Sequence, residues 1–573
     1  MFPYPISFLK AETGLDPGAF VTEWTIPGGV IAADRTIILP AFVTWQATAN
    51  DYDVDWGDGS SDSNVTTHDK THEYPADGSD VTYQVVITGQ FDSLNMNRAT
   101  AAQKLMLTKM VQWGTTKWNN LYSTFHGASL MEYEATDAPD LSVRYGYLKN
   151  YLQNCFLGCD SIVSLDLTGW DISGVTGLSN FAPCKGLELF DITGWDTSSV
   201  TNIGGIGGGM GYNTVSGCEV RMPDLVFNLN QLQYVFNNGK FSSMDLSNWD
   251  IGATSKSMLA FLSGAGGVFS LDLSGWTNTQ TVTNLSSAFY HGEFTTINMT
   301  GWDTSNVTTF LNTFANIPNL TDVIGLNDFR ANSATTIKSM FSSSHNLSFD
   351  THNLSNDFGT DLGNSCTNMS NAFYQIGSGS GGVGFPPPNV TNFDTSLCTT
   401  FGNMFQSVEF NAPIDVSSWD TSALTGGGWY QGAFYMFGLS HGTTNFDLSG
   451  WDFSRLTDMT YWFTTSDAEI IDLGATQDFS STTIWTNAFH TLGNVSVNFL
   501  STADISATVL TNCFYNSTLQ TSQYSNLLIA LDTTSGSSGT LGGGSSQYSA
   551  GAAATARASL VTKGWTIVDG GAA

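Results

Sequence analysis

A phenylalanine recurs along this sequence at positions 125, 156, 181, 236, 261, 289, 314, 341, 373, 405, 437, 463, 489 and 514. Most steps are 25 to 28 residues, and three successive steps are 32. The step from Phe181 to Phe236 is about two periods, its missing rung falling in the Gly-rich segment around Met210. Self-similarity at a fixed period of this size requires units that bury their apolar faces against the next copy, so a solenoid is the expected architecture. The spacing predicts about fifteen coils over residues 104–520, within an array domain set at 101–520.

Each coil carries internal order. Nine to eleven residues after the Phe comes an apolar–Asp–apolar run, as in LDL 165–167, FDI 190–192, LDL 271–273, IDV 414–416 and IDL 471–473. Alternation over so few residues predicts one short strand per coil. A Trp follows in register at 170, 195, 249, 276, 302, 419 and 451, usually inside GWDTS or a close variant. Residues recurring in register stack on their own copies, so this motif reads as scaffold rather than as a row of binding aromatics. After it, Val307, Phe310, Leu311 and Phe314 fall at i, i+3, i+4 and i+7, which predicts a two-turn helix capped by Thr304 or Ser305. The expected fold is thus a leucine-rich-repeat-like solenoid with one short parallel strand and a short helix per coil. At ~4.8 Å per strand, fifteen coils would make a rod on the order of 70 Å long.

The flanks read differently. An N-terminal arm (1–20) precedes a segment (21–100) in which WGDGS at 56–60, THEY at 71–74 and VTYQVVITG at 81–89 suggest strands joined by polar turns, an N-terminal β-sandwich. Residues 521–573 form the expected C-terminal cap: a helix over SQYSNLLIALD, a Gly/Ser tract, a second helix stopped at Gly564 and a strand WTIVD.

The unit LxxLDLSGWDTSxVTxMxxxF resembles the 26-residue leucine-rich-repeat variant of BspA-like bacterial surface proteins and mycoplasma lipoprotein-type repeats. The segment DVDWGDGS…THEY…YQVVITG resembles PKD-type Ig-like domains, which usually act as spacers in surface proteins. The tail ARASLVTKGWTIVDGG is similar to termini of repeat proteins carried in phage genomes. Together these resemblances imply recognition and attachment rather than catalysis.

Composition narrows the partners. With 18 basic against 50 acidic residues, the net charge is −32, so nucleic acid is not an expected ligand. No stretch approaches ~18 apolar residues, so no membrane insertion is expected. The start MFPYPISFLKAETG lacks a basic leader and a cleavage site, which tilts the expectation from an exported bacterial protein towards a virion protein. The seven Cys are spread over the chain, and Cys155 and Cys513 sit beside ladder Phe residues, which predicts buried free thiols.

No HExxH, GxSxG or P-loop occurs, and His126, His291 and His490 lie within two residues after a ladder Phe, so no enzyme and no cofactor are expected. Asp166, Asp191, Asp245, Asp272, Asp350, Asp394, Asp415, Asp447 and Asp472 hold one place in their coils, with Asn298 and Asn498 in two others. Carboxylates stacked at strand spacing repel by ~0.9 kcal/mol per neighbouring pair in water, so backbone N–H donors, or a row of cations such as calcium, must offset them. Asp51, Asp53, Asp55 and Asp62 occupy four calcium-loop positions, but Trp56 stands where that loop needs Gly, which favours a strand with a polar face. Inserted loops at 204–217, 377–388 and 425–432 interrupt the period, and Tyr212, Phe385, Trp429 and Tyr430 within them are the expected ligand contacts. The function expected is a non-enzymatic phage virion protein, a fibre, appendage or decoration, touching other virion proteins and a host surface glycan or protein receptor, with homo-oligomers possible. A bacterial cell-surface adhesin is the alternative, and a polysaccharide-degrading enzyme the third.

Overall fold

The computed structural model describes the chain apart from residues 1–13, 42–49, 143–151, 231, 268, 351, 353, 355–356, 379–383, 427–431, 443 and 537. Two compact units form, one from Met1–Leu229 with Gly239–Asp245, the other from Asn230–Asn238 with Leu246–Ala573.

The first unit opens with a sheet in which Ser61–Val65, Asp51–Asp55, Val81–Gln90, Phe20–Ile26 and Leu107–Gln112 lie side by side, antiparallel throughout. Thr36–Pro40 and Asp69–Glu73 make a separate antiparallel pair, so the region is sheet-rich as a β-sandwich would be. Alternation explains the sidedness: along DYDVD, Tyr52 and Val54 are buried while the three Asp face out. Trp56 is buried, stacks on His72 at 4.6 Å and accepts a hydrogen bond on its carbonyl from the Tyr74 hydroxyl. The strand Glu132–Tyr133 adds to Leu107–Gln112 in parallel. Further along this unit, Ser164–Asp166, Leu189–Asp191, Cys218–Arg221 and Phe241–Asp245 form a parallel sheet, one strand per coil.

The second unit repeats that arrangement. Ser270–Asp272, Thr296–Asn298 and Asp322–Ile324 pair in parallel, as do Asn445–Asp447, Ile470–Asp472, Gly493–Val497 and Ser517–Leu519. Helices Thr521–Thr534 and Ala552–Thr562 pack together at its C-terminal end. Strands Thr540–Gly542 and Thr566–Val568 continue the parallel stacking from Val509–Leu510. The Arg557 guanidinium donates to both oxygens of Asp569, which also accepts from the Tyr524 hydroxyl at 2.9 Å, tying helices and last strand together.

Among the described residues, the short helix expected just before each ladder Phe is not there. Residues 307–314 form a bridge and tight turns, and the same holds in the equivalent stretches of neighbouring coils. Alternate N–H groups reach forward to the next coil: Ser287 to Leu311, Phe289 to Thr313 and His291 to Ala315. The N–H groups between them close turns three residues back, as Ala288 to Leu285 and Tyr290 to Ser287. A helix would satisfy all of these donors internally and leave the coils unlinked. The switch in direction comes from left-handed residues two before and two after most ladder Phe residues, such as Asn312 (φ 55) and Asn316 (φ 56) around Phe314. Asn371 (φ 57) and Gln375 (φ 59) repeat the device around Phe373. Val307, Phe310 and Phe314 are buried, but Leu311, assigned to the same face, is only half-buried. Thr304 caps no helix; its hydroxyl donates to the Arg330 carbonyl of the next coil at 2.8 Å. The result is a β-solenoid with little helix outside the cap.

Candidate functional site

In the second unit Phe289 stacks on Phe314, Phe314 on Phe341, Phe341 on Phe373 and Phe373 on Phe405. The row continues without a break from Phe405 through Phe437, Phe463 and Phe489 to Phe514. Successive rings lie 5.2–5.9 Å apart with interplanar angles of 19° or less. All nine are buried, Phe341 at 1% exposure and Phe405, Phe437, Phe463 and Phe489 at 0%, so these rings hold coils together and offer no surface to a ligand. Phe125 and Phe156 stack likewise at 5.6 Å. Phe181 and Phe261, expected in the same ladder, are one residue out of register: Ala182 and Leu262 make the forward bonds that Phe289 makes in its coil. Their rings therefore meet Phe156 and Phe236 edge-on, at 81° and 75°. In the Gly-rich segment, Gly205 and Gly209 supply the positive φ, and Gly207 stands where the Phe would be, which accounts for the missing rung.

The Trp column is equally internal. Trp170, Trp195, Trp249, Trp276, Trp302, Trp419 and Trp451 are all 6% exposed or less. The indole N–H of Trp195, Trp276, Trp302, Trp419 and Trp451 donates to a backbone carbonyl of the preceding coil, at Leu167, Leu246, Leu273, Val390 and Val416 respectively, over 2.6–3.0 Å. After the Trp, the Asp side chain accepts the backbone N–H two residues on, as Asp196 from Ser198, Asp303 from Ser305, Asp420 from Ser422 and Asp452 from Ser454. The Thr hydroxyl then reaches the next coil, and the Thr of the following VT reaches back, Thr308 to the Thr283 carbonyl at 2.9 Å. The Trp, Asp, Thr and Ser of GWDTS each have a structural partner.

The strand Asp column resolves in the same way. Asp166, Asp272, Asp415, Asp447 and Asp472 each accept the N–H two residues ahead, and Asn298 does so without charge. The Ser198 and Ser449 donors hold the carboxyls of Asp196 and Asp447 below the usual carboxylate range. Where Asp166 and Asp191 lie side by side, Arg221 of the next strand pairs with Asp191 at 3.2 Å. Asp394, expected in this column, belongs instead to the Trp-Asp column: it follows Phe393, which stacks on Trp419, and its carboxylate accepts from Ser396. Asn389, accepting from Thr391, takes the strand position in that coil.

The candidate calcium residues are not gathered round a centre. Asp51, Asp53 and Asp55 point out along one strand, Asp53 capping the Asn64 N–H and Asp55 the Gly57 N–H. Asp62 pairs with Lys70 at 2.9 Å and accepts from the Trp56 indole, the Lys70 and Trp56 donors together holding its carboxyl below the usual range. Among the described residues, no group of three or more His, Cys, Asp or Glu is arranged to hold a metal ion. All seven Cys are buried free thiols, and burial pushes the Cys218 thiol up to about 12.

Of the expected ligand contacts, Tyr212 is 65% exposed in the Gly-rich turn. Phe385 is half-buried, and its backbone is bridged to Phe410 in the next coil. Trp429 and Tyr430 lie outside the described residues. Tyr212 belongs to the first unit and Phe385 to the second.

What the motif leaves over is a groove in the second unit, about 590 Å3, running across five coils. Its walls come from the residue two before each ladder Phe (Ser339, Asn371, Asn403, Tyr435, Tyr461) and from the residue just after Phe341, Phe373 and Phe405 (Ser342, Tyr374, Gln406). Ser339, Asn371, Asn403, Tyr435 and Tyr461 all have left-handed backbone. Tyr435 and Tyr461 rings sit 5.2 Å apart, and Phe434 meets Tyr461 edge-on at 6.1 Å. Burial, with Tyr461 and Tyr374 alongside, raises the Tyr435 phenol above its ordinary value. No lining residue is charged, in a chain of net charge −32.

Comparison with known families gives a match over the coils. The model of a family described as "Mycoplasma protein of unknown function, DUF285" matches residues 150–209, 256–379 and 364–475. The repeats are similar to that family's. All three matched stretches fall within the coils, and together with the period of about 26 residues they fit the BspA-like repeat pattern. Comparison with curated proteins and with solved structures gives no match. No helix among the described residues is long and apolar enough to cross a membrane.

Proposed function

We propose that this protein is a non-enzymatic attachment protein in which the solenoid presents a binding face and residues 21–100 serve as a PKD-like spacer. One observation carries the reading: the repeated Trp, Phe and Thr are spent on coil-to-coil contacts and the repeated Asp on turns within a coil, while the side chains of the uncharged aromatic groove come from other positions of the repeat. Such a division, a rigid frame displaying variable side chains, suits recognition. The similarity of the tail ARASLVTKGWTIVDGG to phage-borne repeat proteins supports a place on a virion, as a fibre, appendage or decoration contacting the host surface. A bacterial surface adhesin is the second reading, favoured by the family match to mycoplasma proteins. Mass spectrometry of purified particles and of bacterial envelope fractions from the source culture separates them. Co-migration with capsid protein supports the virion reading, and recovery only from envelope fractions overturns it.

A further inference from the structure

We infer that the groove lined by Asn371, Tyr374, Asn403, Gln406, Tyr435 and Tyr461 binds an extended, uncharged oligosaccharide. The inference rests on reading the protein as an attachment protein and names the ligand class of that face. Four observations converge on it. The lining offers carboxamides, hydroxyls and phenol rings but no ionic group, so it can pair with sugar hydroxyls and pack on the apolar faces of pyranose rings without favouring an anion or a cation. Coils succeed one another at 5.2–5.9 Å between ladder rings here, close to the length of one pyranose in an extended chain. A polymer lying along the groove would therefore meet the side chain two before a ladder Phe at each sugar. Third, Asn403 is 4% exposed on the groove wall, and its Oδ1 has no hydrogen-bond partner. A buried acceptor in that state is costly until a donor such as a hydroxyl reaches it. Fourth, Tyr435 and Tyr461 hold left-handed backbone positions (φ 54 and 59) where the neighbouring coils use Asn371 and Asn403. A bulky aromatic is an unfavourable choice at positive φ, and packing of the coil does not demand it, because Asn serves there.

The groove tests itself through the array's own alternative residues. Tyr435→Asn and Tyr461→Asn place in each coil the residue its neighbours carry, so both variants should fold with unchanged or higher melting temperature. The full chain and these variants are applied to an array of neutral glucans, galactans, mannans and N-acetylhexosamine oligomers beside sulfated and uronate-containing counterparts. The expected result is binding to one or more neutral linear glycans, weakened about tenfold or more in each variant. Tyr515→Ala, in a separate groove of the same unit, should bind as the parent does. Binding only to anionic glycans, equal binding by the folded Asn variants, or no glycan binding by a chain that still adheres to host cells would each overturn the groove assignment. The last outcome leaves attachment standing and points to a protein receptor. Absence of adhesion together with retained glycan binding overturns the attachment reading alone.

Discussion

Lys256 shows how much this fold asks of single residues. It is 2% exposed, and its ammonium donates to the carbonyls of Gly252 and Thr254 and to the Thr281 hydroxyl at 2.6 Å. Burial lowers its pKa to about 8 despite the nearby Asp250. In the unfolded chain the group titrates near ~10.4, so the unfolded state binds more protons between those values. Stability therefore rises as pH increases from about 8 towards ~10, and the penalty is fully present below 8. Thermal melts of the parent should show this rise, and Lys256→Met should remove it. The left-handed positions make a second residue-scale point. Asn and Ser tolerate positive φ, but Thr465 (φ 56) is β-branched and strained there. Thr465→Asn should raise stability by ~0.5–1 kcal/mol, read by chemical denaturation.

At the scale of elements, many of the short strands were legible because alternation at one phase has few other meanings, although IDV 414–416 forms no strand. The Phe ladder was legible from its period alone, and Phe341, Phe405, Phe437, Phe463 and Phe489 all stack where that period places them. The Trp column followed from its register with the Phe, and Asp303 from its place two residues before a donor N–H. The helix was not legible, because burial of Val307, Phe310 and Phe314 at three- and four-residue intervals is common to a helix and to a chain of three-residue turns. The sequence did carry the discriminating sign: Asn, Ser or Gly two residues before or two residues after most ladder Phe residues, which a helix interior would disfavour. The groove is hidden for a related reason. Interrupted coils stand out in the sequence, whereas Tyr435 and Tyr461 sit inside the regular pattern at a position occupied elsewhere by Asn. The cap offers an element-scale prediction. Tyr524, Leu527, Leu528 and Leu531 are fully buried on the first cap helix. Removing residues 521–573 takes away that cover and the strand paired to Val509–Leu510, so the truncated chain should aggregate, read by size-exclusion chromatography.

For the whole molecule, a charge of −32 on few cations means that the folded state carries net self-repulsion. Added salt screens it, so the melting temperature should rise between about 20 mM and 500 mM sodium chloride, with most of the gain at the low end. The repeated Trp, Phe, Asp and Thr hold the fold together, and the proposed recognition face is the row beside the Phe ladder. The most direct test of that division is the thermal unfolding of Trp302→Ala. Trp302 is 2% exposed, lies 5.5 Å from Trp276 and donates to the Leu273 carbonyl. If the motif is scaffold, the substitution costs ~3–5 kcal/mol and lowers the first melting transition by several degrees. An unchanged melting curve would contradict the account, because GWDTS would then be retained for something other than holding the coils together.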